Sequence, residues 1–380
     1  MADDSRSPRG GSHRRRAGGR AGAGSGGGRG RRRKPPVRRK GRRIAAWSAA
    51  AVVLTGGAGL GFVYFKLNGN LHSVDINAAL GKNRPDNVDN GSQDILVLGS
   101  DSRAGANGKY GRDEGSSRSD TAMIVHVYAG HKKASVVSIP RDTMVPRPEC
   151  TTTGGKTSPA VRRAQFNEAY SIGGAVCTVK TVEAMTDIRM DHYLEVDFAG
   201  FQKLIDKLGG VEVTTTKAIH DKSSHLDLEA GTHKLDGEQS LGLVRTRKAV
   251  GDGSDLGRIK LQQAFIKALL DQVKSVGIFT SPTKLYGIAD TATKALTTDR
   301  DLNSVNKLYG FASGLKGIGS DDMSMVTLPV GADPRDADRV VPVTEQADQV
   351  WRALRNDDEI PEAALKESRE AGAEADGVVK

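Results

Sequence analysis

Cysteine occurs only twice in the 380 residues, at Cys150 and Cys177, and aromatic side chains make up 4% of the chain. There is no CxxC pair, no Gly-x-Ser-x-Gly elbow and no glycine-rich phosphate loop, and His220 and His225 miss the i, i+4 spacing of a helical zinc pair. Metal-thiolate, helical zinc-hydrolase and serine-hydrolase chemistries are therefore poor fits. The shortage of rings does not forbid a folded enzyme, because a chain of this length can bury a sizeable aliphatic core.

Balanced charge is also missing, and the imbalance is local. The formal net charge is +10, yet residues 1–43 hold 16 Lys and Arg against Asp3 and Asp4, so this tail carries +14 and the remainder −4. Gly, Arg and Ser dominate the tail, which lacks the apolar surface needed to offset its chain entropy and is expected to be disordered. No aromatic residues interleave with its arginines, so nucleic acid is not an expected partner.

Charge disappears altogether from Ile44 to Phe65, a run of 22 residues with Trp47 and Tyr64 near its ends. A helix of that length matches a hydrocarbon core of about 30 Å, and amphipathic rings favour the interfaces. An uncleaved transmembrane anchor is expected; a cleaved signal peptide and a buried core helix are the alternatives. The run exceeds the usual apolar length of a signal peptide, about 7–15 residues, and FVYFKLNGN offers no small-x-small cleavage site. With the basic cluster before it, the positive-inside rule keeps the tail cytoplasmic and puts everything after Lys66 outside. Residues 66–92 are polar and read as a stalk, 93–355 as the folded extracytoplasmic domain, and 356–380 as an acidic flexible tail.

The domain begins with Ile95-Leu96-Val97-Leu98, an apolar run suited to a strand buried on both faces. Thr121–Tyr128 and Ala134–Ile139 read as two further strands joined by a hairpin. Helical patterns follow at 178–186, 197–208, 237–244 and 256–274, and strand-like patterns at 211–213 and 323–328. The mixture predicts an α/β fold, a three-layer α-β-α domain on a mixed sheet, preceded by one transmembrane helix.

Three strand ends carry charge. The first strand runs into Asp101-Ser102-Arg103, the second is preceded by Arg118-Ser119-Asp120, and the third ends in Pro140-Arg141-Asp142. If the first strand lies beside the other two, with neighbours about 4.8 Å apart, these ends meet at one rim. Asp at a strand end is commonly a turn residue, but carboxylates and arginines crowded together suit a hard cation beside a polyanion. Downstream, Asp236-Gly-Glu-Gln239 has the form of a capping box opening a helix that delivers Arg245 and Arg247 at its C-terminal end. Arg258 falls in the first turn of the next helix, against the dipole, and needs an anion or Asp255 to compensate it.

The ordered motifs ILVLGSDSR, RSDTAMIVHV, SVVSIPRDT, FNEAY, LDGEQSLGLVRTR and GDGSDLGRIKLQQ closely resemble the LytR-CpsA-Psr family over about residues 93–275, with family-like sequence to about 350. The resemblance implies an extracytoplasmic phosphotransferase that moves a glycopolymer from undecaprenyl pyrophosphate onto peptidoglycan through a phosphodiester. It implies that Asp101 and Asp120 hold Mg²⁺, with Mn²⁺ as the alternative ion, and that Arg118, Arg141, Arg245, Arg247 and Arg258 contact the pyrophosphate. Arg103 and Asp255 join the substrate-binding set, and Asp142 is the candidate base. The lipid tail would lie in an apolar tunnel; Phe198, Phe201, Phe265 and Leu269 are candidates for its wall, though their helical spacing also reads as ordinary core. Leu261 departs from the family, which often has Arg before the Gln pair. Rival functions are a membrane-bound transcriptional attenuator and a pyrophosphatase or lipid-binding scaffold using the same rim.

Cys150 and Cys177 both follow the anchor, in a compartment where a disulfide persists. A bridge is expected, with two free buried thiols as the alternative. Closing that loop contributes about 3 kcal/mol in the chain-entropy model.

Overall fold

The computed structural model describes residues 39–100, 119–247, 255–277, 281–365 and 377–379. Helix α1 (Arg39–Asn70) contains the charge-free run and is, among the described residues, the one helix long and apolar enough to cross a membrane. The basic tail lies almost wholly outside the described residues.

A seven-stranded sheet forms the centre. Its strands are β1 (His72–Val74), β2 (Gln93–Ser100), β3 (Ser119–Val127), β4 (Ala134–Ile139), β5 (His192–Asp197), β6 (Leu296–Asp299) and β7 (Met323–Thr327), in the spatial order β1-β6-β5-β2-β3-β4-β7. Three neighbouring pairs are parallel (β1 with β6, β5 with β2, β4 with β7) and three antiparallel, so the sheet is mixed. Side chains alternate across it with period two. Leu96, Leu98, Ile124, Val137 and Ile139 pack with Val179 and Val182 of α3 (Glu168–Thr186) and Val350, Trp351 and Leu354 of α9 (Thr344–Arg355). On the other face Ile95, Val97, Val125 and Val127 meet Phe311 and Leu315 of α8 (Val305–Leu315). These are the three expected layers. Truncating Leu96 or Leu98, both 0% exposed, costs on the order of 2–5 kcal/mol.

A second apolar core joins α4 (Phe198–Leu208), α5 (Gly237–Arg245), α6 (Asp255–Ser275) and α7 (Pro282–Ala295) to a hairpin of Val211–Thr215 with Gly231–Leu235. Phe201, Phe265 and Leu269 pack within it, and Leu261 is 1% exposed there, so an arginine at that position would bring an unpaired charge into apolar surroundings. The predicted capping box is present: Asp236 accepts from the Gln239 N–H at 2.9 Å and Gln239 Oε1 accepts from the Asp236 N–H at 3.2 Å.

The structure corrects three expectations. Residues 66–92 are not a plain stalk: α1 runs to Asn70, β1 enters the sheet, α2 (Ile76–Leu80) packs on α3, and Arg84 pairs with the buried Glu183. The segment after 356 is tied down where it is described. Asp357 binds His126, Ala364 and Leu365 enter the main core, and Val379 bridges to Thr215. Finally, α3 starts at Glu168 rather than near 178, interrupted at Gly173 and Gly174. A Cβ on Gly173 would stand 2.6 Å from the Thr151 carbonyl oxygen, so only glycine lets this turn approach the cysteine loop. Cys150 and Cys177 are joined as a disulfide there, their Cα atoms 5.5 Å apart.

Candidate functional site

Register brings the strand ends together. Ser100, which ends β2, pairs with Ser119 at the start of β3 and with Asp197 at the end of β5. Ala122 pairs with Ile139 at the end of β4, and Thr327 of β7 lies beside Ser138. One rim therefore carries Ser100, the β3 backbone at Asp120, Pro140-Arg141-Asp142 and Asp197. Asp101, Arg103 and Arg118 lie outside the described residues.

Helix α6 is fastened over this rim by the glutamine pair of the GRIKLQQ motif. Gln262 Nε2 donates to Thr121 Oγ1 at 3.0 Å and to the Val244 carbonyl at 2.9 Å, while Gln263 Nε2 donates to Ser138 Oγ at 3.2 Å and Thr327 Oγ1 at 3.3 Å. These bonds join β3, β4, β7 and α5 to one face of α6, and so set its first turn above the strand ends.

That first turn holds Asp255, and three arginines converge on its carboxylate. Arg258 approaches Oδ1 at 2.5 Å, Arg247 at 3.0 Å and Arg141 at 3.7 Å. Asp255 thus supplies the compensation that Arg258 requires, and it draws in two further cations that the sequence places far apart. Oδ2 of Asp255 is buried and finds no donor among the described residues. Arg247 is fixed from behind: its backbone N–H donates to Asp221 Oδ2 at 3.2 Å. Burial opposes ionisation of Asp221, but hydrogen bonds from Ser223, Arg247 and Ser224 overcome it and hold the carboxyl below its usual range. Arg245 stands with its guanidinium 5.1 Å from the ring centre of Phe198, the residue after Asp197.

Asp142 faces Arg141 at 3.5 Å and Arg339 at 3.7 Å and accepts from Gln165 Nε2. Neither Arg339 nor Gln165 is legible as a site residue in the sequence, since both come from short polar strands, Asp336–Pro342 and Val161–Gln165. Beneath the rim, Ser100 Oγ lies 3.2 Å from Tyr170 Oη, and Tyr170 and Tyr193 donate to the two oxygens of Glu195 at 2.5 and 2.6 Å. Tyr170 belongs to the FNEAY motif, and this is the signal that motif carried.

At the described rim Arg141 and Arg247 are 22% and 31% exposed. Guanidiniums within reach of solvent suit a bound polyanion.

The LytR_cpsA_psr family profile matches residues 63–356. The chain belongs to this family. Among curated relatives, this LytR-CpsA-Psr protein is 30% identical over 299 residues to the cell wall biosynthesis protein LcpA of Corynebacterium glutamicum, covering 72% of the chain and 57% of LcpA. The chain spans about half the length of LcpB from the same organism, at 33% identity. It is 32% identical to the polyisoprenyl-teichoic acid–peptidoglycan teichoic acid transferase TagT of Bacillus subtilis, covering 71% of the chain and 80% of TagT. Among solved structures, TagT bound to LI-WTA superposes with a TM-score of 0.53 at 26% identity, covering 73% of this chain and 97% of that one. A LytR-Csp2A-Psr enzyme from Actinomyces oris shares the fold, with a TM-score of 0.54 at 22% identity, covering 75% and 95%.

Proposed function

We propose that this LytR-CpsA-Psr protein is a membrane-anchored phosphotransferase that moves a glycopolymer from an undecaprenyl-pyrophosphate carrier to peptidoglycan. The observation that carries the reading is the convergence of Arg141, Arg247 and Arg258 on Asp255 above the strand ends. In this reading the donor pyrophosphate is bound by these guanidiniums, and Arg118 and Arg245 extend the cradle. A hydroxyl of the peptidoglycan acceptor attacks the phosphorus that bears the sugar. The bond from that phosphorus to the bridging oxygen breaks, the lipid phosphate leaves with the electron pair, and the proton of the attacking hydroxyl passes to solvent. Charge builds on both phosphates, and planar, permanently charged forks stabilise it. Asp142, engaged by Gln165, Arg141 and Arg339, suits holding Arg141 in place better than accepting the hydroxyl proton, and the proposal gives it that positioning role.

Asp101 and Asp120 are proposed to hold Mg²⁺ or Mn²⁺. The fit rests on donor chemistry: Asp120 enters at the start of β3 beside Ser100, the residue before Asp101, and oxygen donors without thiolate or imidazole suit a hard ion. When bound, the ion supplies charge neutralisation at the phosphate oxygens.

Helix α1 is proposed as the anchor, tail inside and domain outside, on its charge-free run and the basic cluster before it. A reporter fused after Lys380 that is active only in the cytoplasm would reverse this topology.

Transfer is tested with the full chain in vesicles, supplied with polyprenyl-pyrophosphate-linked glycopolymer and peptidoglycan. Polymer joined to peptidoglycan through a phosphodiester is expected, and chelator or Asp120→Ala should abolish it. Release of free phosphorylated polymer alone would replace transfer with hydrolysis.

A further inference from the structure

The last turns of α1 are held by the domain. Val63 and Asn70 are half-buried and Leu67 is 5% exposed, a stripe at i, i+4, i+7. Lys66 Nζ donates to Tyr286 Oη at 2.9 Å and lies 3.6 Å from Asp290. One turn further along, Asn70 Nδ2 reaches Asp290 at 3.1 Å and Thr293 at 3.2 Å. The partners climb both helices together, so α7 runs parallel to α1 with its start toward the apolar run. Asn68 Oδ1 also accepts the Val305 N–H at 2.9 Å, which fixes the junction from the α8 side.

This pairing sets a depth. Pro282 opens α7 four positions before Tyr286, which at 1.5 Å per residue is about 6 Å toward the start of α1. The turn Pro282–Leu285 is thereby level with Phe62–Phe65, the last turn of the charge-free run. The half-burial of Val63, inside that run, shows independently that folded parts of the domain reach this level. Pro282, Thr283 and Lys284 are exposed, while Leu285 turns inward to the second core.

We infer that the first turn of α7, with Lys284 outward, is seated in the anionic head-group layer of the bilayer that α1 enters. The inference rests on the anchor reading of α1. A turn whose exposed residues are Pro282, Thr283 and the cationic Lys284 matches phosphate head groups rather than acyl chains. This second contact fixes the tilt of the domain. It also sets the height of the rim, because the 14 residues of α7 rise about 21 Å to Ala295. There α7 meets Gly200, where an added Cβ would stand 2.4 Å from that of Ala295, just past the rim residue Asp197.

The test places one cysteine at a time in the full chain, whose native cysteines are joined to each other. Phe65→Cys, Thr283→Cys and Lys132→Cys, the last in the β3–β4 turn at the opposite end of the sheet, carry an environment-sensitive fluorophore in phosphatidylglycerol vesicles containing lipid brominated near the head group. Quenching of Thr283→Cys at least half as strong as that of Phe65→Cys, with Lys132→Cys unquenched, is expected. Quenching at Phe65→Cys but none at Thr283→Cys overturns the head-group contact and leaves the anchor standing. No quenching at Phe65→Cys overturns the anchor reading and the inference with it.

Discussion

The two ends of the central sheet each bury a charged cluster, and their stoichiometries are opposite. At the rim one carboxylate, Asp255, is faced by three guanidiniums. At the far end one imidazole, His126, lies between two carboxylates, with Asp94 at 2.9 Å on Nδ1 and Asp357 at 3.0 Å on Nε2. The far cluster closes on itself: His126 is 0% exposed, both ring nitrogens are used, and Asp357 also accepts the Ala129 N–H. The rim cluster keeps two arginines, Arg141 and Arg247, partly open to solvent. A charge set closed off from solvent ties elements together, here the end of α9 to β2 and β3, whereas guanidiniums open to solvent can meet a ligand.

The largest expected effect sharpens the rim half of that contrast. Arg258→Ala should lower transfer by about a hundredfold, equivalent to about 2.7 kcal/mol of transition-state stabilisation. Turnover per folded molecule, with folding checked by thermal denaturation, is the measurement. A loss of stability with unchanged turnover would make the rim cluster structural, like its counterpart.

Next is the far end. His126→Gln should cost about 2 kcal/mol of stability at pH 6 while leaving transfer within about twofold of the native rate. Burial works against the charged imidazole, yet the hydrogen bonds and charges of Asp94 and Asp357 overcome it and raise the pKa of His126. Burial in turn raises that of Asp94 despite His126. For a raised histidine the stabilisation is complete below the unfolded value of about 6.5 and is lost as pH rises through the higher folded value. The raised Asp94 acts with the same sign at lower pH. Denaturant titrations should therefore show native stability falling from pH 6 upward and a flatter profile for His126→Gln; parallel profiles would remove His126 from the latch.

Arg141→Lys keeps the charge and loses the planar fork, so transfer should fall about tenfold, or 1.4 kcal/mol. An unchanged rate would mean that charge alone suffices at the rim. The smallest effect belongs to Arg339→Ala, where the contact with Asp142 is 3.7 Å and the side chain 32% exposed. An interaction of that kind contributes under about 1 kcal/mol, so the rate should fall by less than about fivefold. A larger drop would place Arg339 against substrate.

Legibility followed the length and purity of local pattern. The cores of β2 to β4 are continuous apolar runs, the α5 capping box is a fixed four-residue code, and the α4 apolar spacing is regular. Strands β1, β5 and β6, with sequences HSV, HYLEVD and LTTD, are too short and polar to announce themselves. They are strands because their neighbours in the sheet supply the ladder. The site divided in the same way. Arg258 was conspicuous because it opposes the helix dipole, but Gln165 and Arg339 carry no local anomaly.

By itself the sequence determined the apolar helix, the alternating layers, the sign and location of the charge surplus, and the motifs that announce the family. Each of these is written in contiguous residues and needs only period, propensity or composition. The tertiary structure alone decided that one aspartate gathers arginines from three separate segments, that the supposed stalk is part of the sheet, and that α7 climbs beside the end of α1. Those facts depend on strand order and register, which bring together residues more than 200 positions apart, such as Lys66 and Tyr286, and no local pattern encodes such a meeting.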